Sequence, residues 1–362
     1  MSQLRIPGPT PLPLEVLQSM SKQMINHRGA EYHAMLHGVT DKLKLLFQTK
    51  NDLFILTGSG TGGLEAAVVN TLSPGDKVLA VSIGVFGDRF ATIAKTFGAS
   101  VVPLNFEMGK AADPQAVRQA LNANPDVKAV LMTHNETSTG ITNDIEALSK
   151  AVKEFGKLLI VDCVSSLGSL KCPVDELGLD IAISGSQKGW MAPPGLAFVS
   201  VSKKAWEAYA VARMPRFYWD LGQAKKYLEK DENPWTPGLT TIYGLSVGLD
   251  ILVKEGLPNI IARHARVGKA CREGVKSLGL KPVADERWAS NTVTAVWLPQ
   301  GIEYKDISKG MKDERDIIIT GGQGVLDGKI FRIGHLGWVD EKDIKECIDT
   351  LRIVLAKLGY KK

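Results

Sequence analysis

A lysine lies in a loop whose composition is unusual for a solvated charge. Lys188 belongs to the stretch "SGSQKGWMAPPG" (184–195), in which small residues precede it and Pro193, Pro194 and Gly195 follow it. The apolar runs "LGLDIAI" and "LAFVSVS" flank this stretch, so the loop connects two predicted buried strands. A lysine held in such a loop is a candidate for chemistry that uses an amine as a nucleophile or as a base.

A second candidate is a carboxylate at the end of an apolar strand. Asp162 ends "LLIVD" (158–162), a run apolar enough for burial on both faces. A buried carboxylate costs free energy unless a cation or several hydrogen-bond donors pair with it. Taken alone, Asp162 has the simpler interpretation of a turn or helix-capping aspartate, and Lys188 that of a solvated charge.

The third candidate is a glycine-rich loop, "GSGTGG" (58–63), between a predicted strand and a predicted helix. It matches G-x-G-x-x-G, the fingerprint of dinucleotide-binding proteins. That fingerprint needs an acidic residue at the end of the next strand for the ribose, and the next strand ends "VSIGVFG" without one. The loop still offers a helix N-terminus whose free N–H groups can hold a phosphate. A tight strand–helix turn is the alternative.

Together, a buried acid, a buried lysine and a phosphate cradle at adjacent strand ends match one cofactor, pyridoxal 5'-phosphate. Its phosphate fits the cradle, its pyridine nitrogen needs a carboxylate, and its aldehyde needs a lysine for a Schiff base. A nicotinamide-dependent dehydrogenase would use the loop at 58–63 but would leave Asp162 and Lys188 without a role. A non-enzymatic nucleotide-binding module would likewise leave these two residues without a role.

Apolar runs that alternate with helical patterns predict the framework. We predict strands at 52–58, 77–84, 100–106, 129–135, 158–164, 180–185 and 196–202, and helices at 62–72, 86–98, 113–123 and 144–155. This order indicates a mostly parallel α/β sheet covered on both faces, with its ligands beyond the carboxyl ends of the strands.

The chain beyond this sheet has a different pattern. Helices at 240–256, 258–277, 303–313 and 340–358, with strands at 291–299, 316–320 and 329–334, predict a smaller C-terminal α+β domain. Four prolines at positions 7, 9, 11 and 13 predict an extended N-terminal arm. The predicted division is therefore an arm at 1–16, a large domain at 17–255 and a small domain at 256–362.

Composition narrows the function classes. The 362 residues are 44% hydrophobic and 23% charged, with a net charge of +5 that is not clustered, which argues against a nucleic-acid partner. The sequence has no evident signal peptide and no apolar run of about 18 residues, so we expect no membrane partner. The four cysteines lie far apart in the sequence and form no C-x-x-C pair. This argues against a disulfide framework and against a metal site, and it favours the reducing cytoplasm.

Three motifs, in this order, resemble a known family. "THNETSTG" (133–140), "VDCVSSLG" (161–168) and "SGSQKGWMAPPG" are similar to class V pyridoxal-phosphate aminotransferases of the alanine–glyoxylate and serine–glyoxylate (serine–pyruvate) group. The resemblance runs from "PGPTPLP" (7–13) to "FRIGHLG" (331–337). It implies fold-type I, with a large domain built on a mostly parallel seven-stranded sheet, and a homodimer.

The resemblance also implies an activity and roles for the candidate residues. The activity is transamination between a small amino acid, alanine or serine, and a 2-oxo acid, glyoxylate or pyruvate, by a ping-pong path. Lys188 would form the Schiff base and Asp162 would pair with the pyridine nitrogen. The other cofactor-binding residues that the resemblance implies are Gly60, Thr61 and Gln187 at the phosphate, Phe86 on the ring, and Thr137 near the ring hydroxyl.

Three further expectations concern the substrate, the assembly and a histidine. Arg332 would bind the substrate carboxylate, for which a planar guanidinium is suited. Thr236 would reach the phosphate of the partner subunit, and the proline-rich arm would also lie on that partner because it has little core of its own. His134 is interpreted as a structural histidine with its hydrogen bonds satisfied. Another class V enzyme, a lyase, desulfurase or epimerase, remains the alternative activity.

Overall fold

The computed structural model describes residues 2–361. The strands are β1 (Gln3–Leu4), β2 (Asp52–Thr57), β3 (Lys77–Ser82), β4 (Ser100–Asn105), β5 (Ala129–Thr133), β6 (Asn135–Glu136), β7 (Ile141–Thr142), β8 (Leu158–Asp162), β9 (Ile181–Gly185), β10 (Leu196–Val201), β11 (Val293–Trp297), β12 (Ile317–Ile318), β13 (Thr320–Gly321) and β14 (Ile330–Gly334). The helices are α1 (Leu14–Ser19), α2 (Ala30–Phe47), α3 (Gly60–Thr71), α4 (Val85–Thr96), α5 (Pro114–Ala123), α6 (Ile145–Lys153), α7 (Val174–Leu177), α8 (Lys203–Val211), α9 (Leu221–Leu228), α10 (Leu239–Glu255), α11 (Leu257–Ser277), α12 (Tyr304–Arg315) and α13 (Glu341–Lys357).

Seven strands form the central sheet, in the order β2-β10-β9-β8-β5-β3-β4. Neighbouring strands are parallel except at β10, which is antiparallel to both β2 and β9. The predicted mostly parallel seven-stranded sheet is therefore confirmed. Because β2, β3, β5, β8 and β9 run in the same direction, their carboxyl ends share one edge of the sheet.

Helices cover both faces of this sheet, as the all-apolar strands predict. Alternate residues of each strand enter two separate hydrophobic clusters. One cluster contains Leu159 and Val161 of β8 with side chains of α2, α5, α6 and α10. The other contains Ile160 of β8 with side chains of α3, α4, α8 and α9. Such two-sided burial is typical of parallel sheets in α/β proteins.

A third hydrophobic cluster lies toward the C-terminus. It is formed by side chains of α11, α12 and α13 and of the strands that accompany them, with Val267, Phe331 and Leu351 among its buried members. The main sheet of this region has the antiparallel order β11-β14-β13. The division at 255/256 into a large and a small domain remains a prediction.

The N-terminal arm packs on its own chain, so the expectation that it has little there to pack against is wrong; its contact with a partner subunit remains a prediction. Strand β1 pairs in parallel with β12, and the Gly334 amide donates to the Arg5 carbonyl at 2.8 Å. Arg5 is buried and forms an ion pair with Asp343. Prolines do forbid a helix here, but Gln3, Arg5 and their neighbours still offer backbone groups to a strand edge.

The arm continues directly over the predicted site. The Thr10 amide donates to the Gln187 carbonyl at 3.2 Å, and the Lys188 ammonium donates to the Pro7 carbonyl. Gly8 has a φ of +133°, and a Cβ there would lie 2.6 Å from Lys188 Nζ. A side chain at position 8 would thus displace the end of the lysine side chain, and the positive φ also favours glycine there.

The 18-residue helix α2 was not predicted. Its buried residues Tyr32, Leu36, Val39, Leu43 and Phe47 recur at helical spacing, so the signal was present in the sequence.

Across residues 2–361, no helix combines the length and the hydropathy that crossing a bilayer requires.

Candidate active site

Asp162 and Lys188 lie at neighbouring strand ends, where the sequence predicted them. Asp162 is the last residue of β8, and Lys188 follows β9 by three residues. Desolvation by burial raises the pKa of Asp162 to about 7, although the Val164 amide, which donates to its Oδ1 at 2.9 Å, opposes the shift. Burial lowers the pKa of Lys188 to about 8, and the charge of Asp162 opposes that shift. Each group thus prefers its neutral form more than it would in water.

The glycine loop places an open helix N-terminus beside this pair. Helix α3 begins at Gly60, and its N-cap residue Ser59 makes no side-chain capping bond. A Cβ at Gly60 would lie 2.7 Å from Val164 Cγ2, so only glycine lets the helix start this close to the end of β8. Free amides at a helix start attract anions.

Two side chains complete the surroundings of this helix start. Gln187 Oε1 is buried without a hydrogen-bond partner. An Arg89 guanidinium nitrogen lies 3.4 Å from Thr61 Oγ1, which brings a cation to the same end of α3. Because the free amides, Arg89 and Lys188 are all donors or cations, the residues present fit a bound phosphate group.

Sequence reasoning missed the carboxylate Glu136. It is 0% exposed and accepts hydrogen bonds from the amides of Phe86 and Gly87 at 3.1 and 3.2 Å. Its other oxygen accepts from the Ser138 hydroxyl at 2.6 Å. Burial raises the pKa of Glu136, and its charge acts on both Asp162 and Arg332. Glu136 therefore fixes the start of α4. Its place within the motif "THNETSTG" is the sequence feature that could have identified it as a site residue.

Arg332 links strand β14 to the segment that follows β6. It lies on β14, is 3% exposed, and donates from Nε to the Gly321 carbonyl at 2.8 Å and from Nη1 to the Thr137 carbonyl at 3.1 Å. Within residues 2–361 no carboxylate forms an ion pair with it. A buried guanidinium bonded only to neutral oxygens retains the capacity to bind an anion.

The aromatic and threonine candidates occupy different positions relative to this cluster. Phe86 lies in the first turn of α4, and the Arg89 guanidinium lies 4.8 Å from its ring centroid. Thr137 is buried and holds Arg332 through its carbonyl. Thr236 is exposed, in the loop between α9 and α10. The charges of Asp162 and Arg332 both act on the Lys188 amine. A Cβ at Gly185 would lie 3.0 Å from Gln187 Oε1 and 3.5 Å from the Gly60 nitrogen, so these residues lie close together as well. Thr236 makes no hydrogen bond to this group within the described chain.

The chain is similar to known proteins over most of its length. The family model for Aminotransferase class-V matches residues 4–335. The soluble hydrogenase 42 kDa subunit of Anabaena cylindrica is 47% identical over 99% of this chain and 94% of its own. The serine–glyoxylate aminotransferase of Methylorubrum extorquens is 38% identical over 99% of this chain and 92% of its own.

A solved structure agrees with these relatives. The crystal structure of alanine–glyoxylate aminotransferase from Nostoc sp. superposes with a TM-score of 0.94 at 30% identity, covering 98% of this chain and 95% of that one. The predicted resemblance and the predicted fold are both confirmed. With a family match over most of its length and relatives of this identity, the chain belongs to the class V aminotransferase family.

Proposed function

We propose that this protein is a pyridoxal-phosphate-dependent transaminase that exchanges an amino group between a small amino acid and a 2-oxo acid. The observation that carries the proposal is the buried Asp162 and the half-buried Lys188 at adjacent strand ends, beside the open start of α3. The names of the serine–glyoxylate and alanine–glyoxylate relatives support serine or alanine as donor and glyoxylate as acceptor. Pyruvate is proposed as a second acceptor from the family resemblance of the sequence motifs. When bound, the cofactor supplies an electron sink for the electrons of the substrate Cα–H bond.

The residues of this chain divide the remaining work. A lysine with a pKa near 8 is partly neutral at physiological pH, so Lys188 can accept the proton from the substrate Cα. It would then deliver that proton to the C4′ carbon of the bound cofactor, which is the proton shift that transamination requires. Asp162 supplies a carboxylate that keeps a facing pyridine nitrogen protonated. Arg332, Arg89 and Lys188 make the site electropositive, which favours an anionic phosphate and anionic substrates.

Arg332→Lys should raise KM for both donor and acceptor. The substitution keeps the charge but loses the planar pair of donors, and a hydrogen bond to a charged group contributes about 1.5–3 kcal/mol, so we expect a rise of roughly 10- to 100-fold. Steady-state kinetics checks this, and the cofactor absorbance should stay unchanged. Arg118→Lys is the matched control, because Arg118 forms a two-bond pair with Glu154 on the outer surface. An unaltered KM for the 2-oxo acid would remove Arg332 from the substrate site.

A donor and acceptor panel tests the proposed activity. Serine, alanine and aspartate are each combined with glyoxylate and with pyruvate, and initial rates are measured at several concentrations of both substrates. Parallel double-reciprocal plots would indicate the expected ping-pong path. The kcat/KM values of donors that differ by one hydroxyl group should differ by only about 10- to 200-fold. Failure of every pair to yield a new amino acid would contradict the proposal.

Two other activities receive no support from particular residues. A desulfurase needs a mobile cysteine nucleophile, and all four cysteines here are buried. The name of the Anabaena relative suggests hydrogenase chemistry, but the lysine and carboxylate pair described above is the arrangement that transamination uses.

We further propose a cytoplasmic homodimer that shares its active sites. Phe217 and Tyr218 are exposed aromatic residues, and Phe217 stacks on Trp235 with ring centroids 5.0 Å apart. This apolar patch adjoins the glycine loop, since a Cβ at Gly58 would lie 2.7 Å from the Trp219 ring. A partner subunit on the patch would bring Thr236, one residue beyond Trp235, toward the partner's phosphate. Sedimentation velocity at assay concentration tests it; a fully active monomer would refute it.

A further inference from the structure

A second group of reactive side chains lies behind the strand that carries Asp162. The Sγ atoms of Cys163 and Cys172 are 3.9 Å apart, and these two atoms and a ring nitrogen of His134 all lie within 4.8 Å of one another. The three residues come from the ends of β5 and β8 and from the loop before α7. Local spacing in the sequence could not show this group, because only folding brings the segments together.

The distance between the two sulfur atoms matches that of a tetrahedral thiolate site. With metal–sulfur bonds of about 2.3 Å, two sulfur ligands of a tetrahedral zinc ion lie about 3.8 Å apart. The observed separation of 3.9 Å is close to that value and far from the roughly 2.05 Å of a disulfide bond. Little movement of either cysteine side chain is needed to place both sulfur atoms on one ion.

The histidine supplies an independent sign of a missing partner. His134 is 2% exposed, and its Nδ1 is buried without a hydrogen-bond partner. At this nitrogen, a structural histidine with its hydrogen bonds satisfied would have a partner that the described chain does not supply. A buried imidazole nitrogen left without a partner costs free energy that a ligated ion would recover.

A cavity gives the group a route to solvent. His134 lines a cavity of about 180 Å³, whose other lining residues include Asp144, Glu146, Lys171 and Glu176. Glu146, Lys171 and Glu176 are exposed, so the cavity opens at the surface. Three carboxylates against one ammonium give the opening a negative potential, which raises the local concentration of cations. The cavity is also large enough to supply a water ligand.

We propose that Cys163, Cys172 and His134 bind a thiophilic divalent cation of the zinc class, with a water molecule from the cavity as the fourth ligand. Binding replaces the two thiol protons, which leave to solvent. The ion would connect the ends of β5 and β8, where the His134 amide already donates to the Asp162 carbonyl at 2.9 Å. The site is therefore a structural one that supports the position of Asp162 and takes no part in the reaction.

Zinc binding to the reduced, cofactor-loaded protein tests this proposal. We expect one zinc ion per chain by equilibrium dialysis with elemental analysis, and a zinc absorption-edge spectrum that fits two sulfur ligands at about 2.3 Å. Zinc should also raise the Tm of the wild type. Loss of a residue that only supports a metal ligand weakens metal binding roughly 10- to 100-fold. Cys163→Ser, Cys172→Ser and His134→Gln should each weaken zinc binding by more than that.

Cys347→Ser is the matched control, because it removes a buried thiol of helix α13 and should leave zinc binding unchanged. Circular dichroism separates loss of a ligand from loss of the fold, and the wild-type spectrum is informative even if a variant does not fold. A first shell of nitrogen and oxygen alone, or no zinc bound above the control level, would overturn the proposal. So would a Cys163–Cys172 disulfide in the isolated protein whose reduction yields no zinc binding.

Discussion

Lys188→Ala should abolish transamination, with a loss of at least about four orders of magnitude in kcat. The substitution removes a covalent anchor and a proton-transfer base together, and general base catalysis alone contributes about 10²–10⁴. Burial lowers the pKa of this amine to about 8, so an exposed lysine elsewhere cannot replace it. The visible absorbance of the covalently held cofactor should disappear as well. Single-turnover kinetics and an absorbance spectrum measure the two losses separately.

Two further measurements make this prediction specific. Small primary amines such as methylamine should restore part of the activity, since they can occupy the space left by the side chain and carry the same proton. Lys203→Ala, at an exposed position at the start of α8, is the control and should behave as wild type. Appreciable turnover by Lys188→Ala without added amine would end the assignment of Lys188 as the base.

The strand ends could be predicted from the sequence because their signals are local. The run "LLIVD" identifies a buried strand and its terminal carboxylate at once, and the run before "SGSQK" does the same for the lysine. In a parallel sheet, adjacent strand ends meet whatever the details of the helices. Thus Asp162, Lys188 and the start of α3 could be placed together without knowledge of tertiary contacts.

Features that depend on long-range contacts could not be predicted in this way. The N-terminal arm pairs with β12, more than 300 residues further on, and no local pattern indicates such a partner. Glu136 is buried because four hydrogen-bond donors converge on it, two of them from α4. The cluster of Cys163, Cys172 and His134 likewise exists only in the folded chain. Helix α2 is different, since the helical spacing of its apolar residues is visible in the sequence.

Asp162→Asn should have opposite effects on turnover and on the stability of the cofactor-free protein. In the loaded enzyme, we expect kcat to fall by about two to four orders of magnitude, because losing one partner of a buried charge pair costs about 3–5 kcal/mol. Cofactor affinity should fall too. Equilibrium dialysis of the cofactor and steady-state kinetics check these losses, and near-normal turnover would show that Asp162 does not face the pyridine nitrogen.

In the cofactor-free protein, Asp162→Asn should instead raise the free energy of unfolding, because Asp162 is buried with no cation bonded to it. Its pKa rises from 3.8 in the unfolded chain to about 7 in the folded one. Between about pH 4 and pH 7 the folded wild type therefore holds a proton that the unfolded chain has released, and its free energy of unfolding falls as the pH rises. Asparagine cannot ionise, yet it can still accept the Val164 N–H bond. Above pH 7 the cofactor-free variant should be more stable than wild type by up to about 4 kcal/mol, and near pH 4 the two should be equal. Urea unfolding at pH 4 and pH 8 measures both differences; a variant less stable than wild type at pH 8 would mean that a cation of the protein itself already pairs with Asp162.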